Sequence, residues 1–287
     1  MNRYVQSFRL RTLPLSMSGI ILGSGLAYPF ASNNLKYWIT FGLALLTTLS
    51  LQILANLANE LGDAQHGTDD NQDGRVAYGL QSGAITEKEM LRCMYIFVGL
   101  CMCFGTALVW VSFGTLLSTE SIVFLMLGAL AIAGAIKYTY GKHSYGYMRL
   151  GDLGVFIFFG LLSTMGSYYL QTHAMTLDAT LSAVAIALPI VGVLNLNNVR
   201  DMDNDVKHGK KTFAGLLGKT GGKIYHTLLI VGCYVIFAIM GHYWVLITLP
   251  VLIWHLIYIW RHDGSSLDKQ MPVLMFTTIV IAILACV

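Results

Sequence analysis

Nine apolar runs govern what this chain can become. They cover residues 13–30, 37–58, 93–113, 122–136, 153–170, 179–196, 224–240, 243–260 and 273–287. A helix needs about 20 apolar residues, within a range of about 17–25, to cross the hydrocarbon core of a bilayer. Most of the runs meet that length. The fourth and ninth need flanking residues, and loss of the ninth would leave eight. Only 11% of the residues are charged and 55% are hydrophobic, where a soluble domain carries about 25% charged residues. The expected fold is an all-α integral membrane protein: a single polytopic domain over 1–287 with nine transmembrane helices. Pro189, inside the sixth run, is expected to kink it. The first run follows Arg3, Arg9 and Arg11 without a cleavage signal and is expected to remain as a span. The five cysteines form no C-x-x-C pair and are read as packing residues.

Charge placement tests the count. With nine spans, 17 of the 18 Lys and Arg residues fall on one side and only Lys36 on the other. The positive-inside rule puts that side, with the N-terminus, in the cytoplasm. Of the acids, only Glu120 and Asp178 fall outside. Acids do not set topology, so their gathering inside points to chemistry there. The inner connections after the second and sixth runs are expected to be long, about 30 residues each, and long loops in compact proteins are usually functional. Cap loops are assigned to about 59–91, 137–152 and 197–223. Thr86-Glu87-Lys88-Glu89 reads as the start of the third helix.

One polar pattern occurs twice, each time where an apolar run ends. Asn56–Asp73 carries it first, and Asn198–Thr212 repeats it 142 residues later. Asn56 matches Asn198, Asn59 matches Asp201, Asp63 matches Asp205, His66 matches His208 and Gly67 matches Gly209. If helix continues through both copies, Asn56, Asn59 and Asp63 share one face, as do Asn198, Asp201 and Asp205. Polar groups at membrane depth cost about 2.5–3.5 kcal/mol each when charged, so a solvated helix end explains a duplicated set poorly. Two oxygen-rich clusters suit a hard cation such as Mg2+, and the pair is read as holding a magnesium-bound diphosphate.

Other candidates surround this repeat. Asp69–Gly74 matches half of an EF-hand loop, but Leu80 stands where the closing Glu belongs, so Asp69 is kept only as an added metal ligand. Gly209–Thr212 resembles the end of a P-loop without the upstream glycine. Arg200, Lys142 and Lys211 are placed as phosphate contacts, since diphosphate oxygens not used by metal need Arg or Lys. Tyr138, Lys142 and Tyr145 would share a helical face, although Gly141 and Gly146 argue against continuous helix. Interface tyrosines are the bland alternative. Asp152, at the lip of the fifth run, is a candidate for metal, cation or substrate proton. His66 and His208 lack a second ligand at metal spacing and are read as structural.

These motifs resemble the UbiA-type intramembrane prenyltransferases, above all the menaquinone-forming branch. The likeness rests on R-x-R-T-L-P-L at Arg9–Leu15, on Leu51–Asp69, on Y-T-x-G-x-x-x-Y-G-Y with L-G-D at Tyr138–Asp152, and on Leu194–Thr212. It implies nine helices around a central cavity open sideways to lipid, in a bacterial inner membrane. It implies transfer of a polyprenyl chain from polyprenyl diphosphate to 1,4-dihydroxy-2-naphthoate, with Mg2+ as cofactor and membrane lipid as surroundings. No nucleic-acid partner is expected. Asn59, Asp63, Asp201 and Asp205 would hold metal, with Asn56 and Asn198 in support. Tyr138 and Tyr145 would face an allylic cation or the acceptor ring, and Arg9 or Arg11 the acceptor's carboxylate. The first copy departs from the broader family pattern, placing Gly67 where a second acid is usual. Two rivals stay open: another acceptor, such as 4-hydroxybenzoate or homogentisate, and a secondary transporter with internal repeats.

Overall fold

The computed structural model describes residues 3–31, 33–67, 78–142 and 144–287. Among them, nine helices are long and apolar enough to cross a membrane. They are the span Arg3–Phe30, whose main helix is α1 (Leu13–Ala27), then α2 (Asn34–Gln65), α3 (Glu87–Phe113), α4 (Thr119–Lys137), α5 (Gly151–Thr172), α6 (Leu177–Lys207), α7 (Phe213–Met240), α8 (Tyr243–Arg261) and α9 (Gly264–Leu284). A short helical turn at Arg3–Ser7 precedes α1. Side-chain caps at Asn33, Thr86, Ser118, Thr176 and Thr212 start α2, α3, α4, α6 and α7. Thr86 and Glu89 form the reciprocal capping box, satisfying backbone donors that the first helical turn leaves unpaired.

Burial ranks the helices. About 61% of the apolar window of α6 is buried inside the protein, against 11% for α4. So α6 is the central helix, unbroken through Pro189, and α4 lies at the periphery. Large apolar side chains such as Trp38, Ile96, Trp110 and Ile239 point outward, as a lipid-facing surface requires. Two large apolar cores stand out among the described residues. One packs Leu54, Leu57 and Leu61 of α2 against Met90 and Met94 of α3. The other joins Ile186 and Ile190 of α6 to Phe237, Leu252 and Leu274 of α7–α9, with Leu22 of α1. A cavity opens between them, lined from both sides.

The inner helix ends run further than the apolar runs. α2 continues to Gln65 and α6 to Lys207, while α7 begins at Phe213. The connection after α6 is therefore short, not the expected long loop. Hydropathy misses these turns because their buried face is polar. Both helices stop the same way. The Nδ1 of His66 lies 2.7 Å from the Gly62 carbonyl, and that of His208 lies 2.9 Å from the Asn204 carbonyl. The next residues, Gly67 and Gly209, take φ values of 68° and 73°, a left-handed stop that favours glycine. The recurring His-Gly is a helix terminator, as the structural reading of both histidines expects.

Candidate active site

With helix extended through both copies, each polar pattern occupies the last turns of a membrane helix. Asn56 and Asn59 line a cavity of about 360 Å³. The Asn56 amide donates to the Phe8 carbonyl at 2.8 Å and to Thr12 Oγ1 at 3.0 Å, and its oxygen accepts from Gln52 at 3.1 Å. It thus ties the N-terminal segment to α2. In α6, Asn198, Asp201 and Asp205 are buried, each under 10% exposed.

The loop between α4 and α5 fastens onto the first copy. Thr139 donates to the side-chain oxygen of Asn59 at 2.9 Å, and Tyr147 donates to Asp63 Oδ1 at 2.9 Å. Close approach here needs Gly62, since a Cβ at that position would sit 2.6 Å from the Thr139 backbone. The same loop meets the second copy. The Lys211 amide donates to the Tyr147 carbonyl at 3.3 Å, and the Arg149 amide to the Lys211 carbonyl at 2.8 Å. Lys210 Nζ lies 3.6 Å from Asp205 Oδ1.

Tyr138 and Tyr145 line the cavity and meet edge to face, with centroids 5.3 Å apart at 85°. Dry surroundings keep the Tyr138 phenol protonated well above its ordinary range, helped by the negative charge of Asp152, Asp63 and Asp205. The two copies meet at the neighbouring Tyr147, which bonds Asp63 at 2.9 Å and whose ring centre lies 5.6 Å from Lys210 Nζ, itself 3.6 Å from Asp205. Burial likewise raises Tyr145 to about 12, and its hydroxyl donates to the Gly134 carbonyl at 3.0 Å. Both residues present neutral aromatic rings to the cavity. Asp152, in the first turn of α5, is buried and keeps one carboxylate oxygen without a hydrogen-bond partner.

The cavity has a polar end and an apolar body. Arg9, Arg11, Thr12, Asn59, Tyr78 and Asn197 form the former; Ile20, Leu108, Phe124, Phe158 and Leu170 belong to the latter. The Arg9 guanidinium lies 4.2 Å over the Tyr78 ring, and Arg11 donates to the Tyr78 hydroxyl at 2.8 Å. Among the described residues no carboxylate pairs with either arginine.

Like Asp63, Asp201 and Asp205, the three expected phosphate contacts lie outside the cavity wall. Arg200 is buried and bidentate to Asp201 at 2.6 Å, while also donating to Asn197 at 2.6 Å and pairing with Asp268. Its guanidinium serves the protein, and it is not part of the cavity wall. Lys142 and Lys211 are exposed and outside the wall. Asp69 lies outside the described residues. Sequence reading also missed Thr139, Tyr147 and Glu60. Glu60, only 1% exposed, accepts the Leu80 amide at 2.7 Å and pins residues 78–86 to α2. Its one available signal was a carboxylate on the apolar side of the motif.

Among the described residues, no three His, Cys, Asp or Glu side chains gather closely enough to hold a metal alone. That donor set is too sparse for a protein cage of the kind Ca2+ takes. It does fit Mg2+, which keeps waters and binds through one or two carboxylates plus substrate phosphates.

A helical membrane protein with two polar helix-end patterns joined by one loop, beside an apolar cavity that Asn56 and Asn59 help to line, defines the class. The sequence matches the UbiA prenyltransferase family over residues 18–280, and the chain belongs to that family. It is 38% identical over 269 residues to 1,4-dihydroxy-2-naphthoate octaprenyltransferase of Haemophilus influenzae, covering 91% of this chain and 86% of that one. The Escherichia coli protein of the same name is 42% identical over 238 residues, covering 83% and 76%. In fold, the chain resembles a UbiA homolog from Archaeoglobus fulgidus bound to DMAPP and Mg2+, with TM-score 0.64, 16% identity, and 98% and 99% coverage. Family membership sets aside the transporter reading.

Proposed function

We propose that this chain transfers a polyprenyl group from polyprenyl diphosphate to 1,4-dihydroxy-2-naphthoate, releasing diphosphate and carbon dioxide. The observation that carries the reading is that the α4–α5 loop joins both acidic patterns, bonding Asp63 through Tyr147 and lying against Lys210 beside Asp205, while Asn59 of the first pattern lines the polar end of an apolar cavity. The names of the relatives at 38% and 42% identity support the choice of acceptor.

The diphosphate lies between Asn59 and Asp63 on one side and Asp201 and Asp205 on the other, with the isoprenoid in the apolar body. Asn59, Asp63, Asp201 and Asp205 would hold Mg2+, which would supply Lewis-acid neutralisation of the leaving diphosphate. As the carbon–oxygen bond breaks, its electron pair leaves with the diphosphate and an allylic cation remains. Tyr138 and Tyr145 face that cation with neutral rings, and the dry wall keeps water from trapping it. The ring carbon bearing the carboxylate attacks the cation. The carboxylate then departs as carbon dioxide, and its bonding electrons restore aromaticity, so no base has to remove a proton from that carbon. Arg9 and Arg11 hold the acceptor's carboxylate beside Tyr78. The polar end faces the cytoplasm of a bacterial inner membrane, in keeping with the Lys and Arg distribution.

The test is turnover by solubilised full-length protein given a labelled polyprenyl diphosphate, Mg2+ and a panel of acceptors. We expect prenylation of the naphthoate. Turnover of 4-hydroxybenzoate in its place overturns the acceptor, and no diphosphate release with any acceptor overturns the reaction.

A further inference from the structure

Tyr147 occupies a place that the reaction described above does not use. Its hydroxyl donates to Asp63 Oδ1 at 2.9 Å, on the first copy. Its ring stacks on His66, which ends the same helix, at 4.4 Å and 26°. From the second copy, Lys210 brings its Nζ to 5.6 Å from the centre of the ring, while also lying 3.6 Å from Asp205 Oδ1. The Tyr147 main chain accepts from Lys211, and Met148 and Lys211 form a short parallel bridge. One residue therefore touches both copies, by side chain and by backbone.

We propose that Tyr147 is a positioning residue that sets the two carboxylate groups in register around one shared metal–diphosphate unit. This rests on the reading of the site given above. A carboxylate at a helix end rotates freely unless something holds it. The Tyr147 hydroxyl fixes one Asp63 oxygen and leaves the other oriented for metal. As a neutral donor it does so without adding a positive charge that would repel the metal. The main-chain bridge to Lys211 and the Lys210 contact on the ring hold Tyr147 against the segment that follows Asp205. Bringing the two copies together is thus a task of this loop as well as of helix packing. Partners that orient metal ligands in this way contribute about 10–100-fold in metal affinity.

The test uses Tyr147→Phe, which keeps the ring and the main-chain bridge and removes one hydroxyl. Mn2+ is titrated into purified full-length protein with a prenyl thiolodiphosphate, and free Mn2+ is read by electron paramagnetic resonance. We expect Y147F to bind Mn2+ at least about tenfold more weakly than wild type, with an unchanged melting temperature and an unchanged KM for the naphthoate. Adding Y147F to Asp63→Asn should cost no further affinity, because both act on one carboxylate. Equal Mn2+ affinity in Y147F and wild type overturns the inference, as does full additivity in the double variant. A wild type that binds no Mn2+ with the analogue overturns the site itself, and the inference with it.

Discussion

The Thr139 hydroxyl shares its one proton between the Asn59 side-chain oxygen at 2.9 Å and the Ala58 carbonyl at 3.1 Å. This buried contact fixes the orientation of Asn59 at the cavity wall. Thr139→Val keeps the shape and removes the donor. Loss of one buried hydrogen bond is worth about 1–1.5 kcal/mol, which corresponds to about a tenfold fall in kcat/KM. Steady-state kinetics should show that fall for the prenyl diphosphate, with KM for the acceptor unmoved. Wild-type kinetics in the variant would mean that Asn59 needs no such support.

Gly62 allows the α4–α5 loop to lie against α2. A methyl group there meets the Thr139 backbone at 2.6 Å, so the loop has to move. Overpacking of this kind costs about 1–3 kcal/mol. Gly62→Ala is expected to lower the melting temperature in detergent and to reduce turnover more than Thr139→Val does, because it displaces Thr139 and Tyr147 together. A variant with unchanged melting and unchanged rate would show that the loop is free to lift.

The Arg9–Tyr78–Arg11 group predicts a split between substrates. Arg9→Gln and Arg11→Gln each remove a cation from the polar end of the cavity. Losing a charged hydrogen bond of about 1.5–3 kcal/mol should raise KM for the naphthoate by tenfold or more. KM for the prenyl diphosphate should stay within about twofold. The control is the naphthoate amide, which lacks the charge: wild type should discriminate against it, and the variants should discriminate less. An equal rise in KM for both substrates would place these arginines on the diphosphate instead.

Much of this arrangement was legible in the chain. Nine apolar runs yielded nine spans, because hydrophobic length alone decides whether a helix can cross lipid. The repeat located both acidic patterns, because helical spacing carries Asn59 to Asp63 and Asp201 to Asp205 onto common faces. What was not legible depends on contacts between distant segments. Nothing near Arg200 announces that Asp268, 68 residues away, will take its guanidinium. Nothing near Tyr147 points to Asp63, 84 residues earlier. Such pairs leave no periodic trace, and each is decided only when the loop settles on the helix ends.

Asp63 and Asp205 occupy equivalent positions in the two copies, and the proposed reaction uses both. Asp63→Ala and Asp205→Ala should each lower prenyl transfer by at least about three orders of magnitude, as expected for loss of charge stabilisation at the leaving group. Expression, membrane insertion and melting should stay close to wild type. Near-normal turnover by either variant at limiting Mg2+ would break the pairing.

The most direct measurement is an experimental structure of the full chain with Mg2+ and a prenyl thiolodiphosphate. One diphosphate should lie between Asn59 and Asp63 on one side and Asp201 and Asp205 on the other, with its isoprenoid tail along Phe124 and Leu170. A diphosphate bound to one copy alone, or outside the space between α2 and α6, would contradict the shared grip on which the proposed reaction depends.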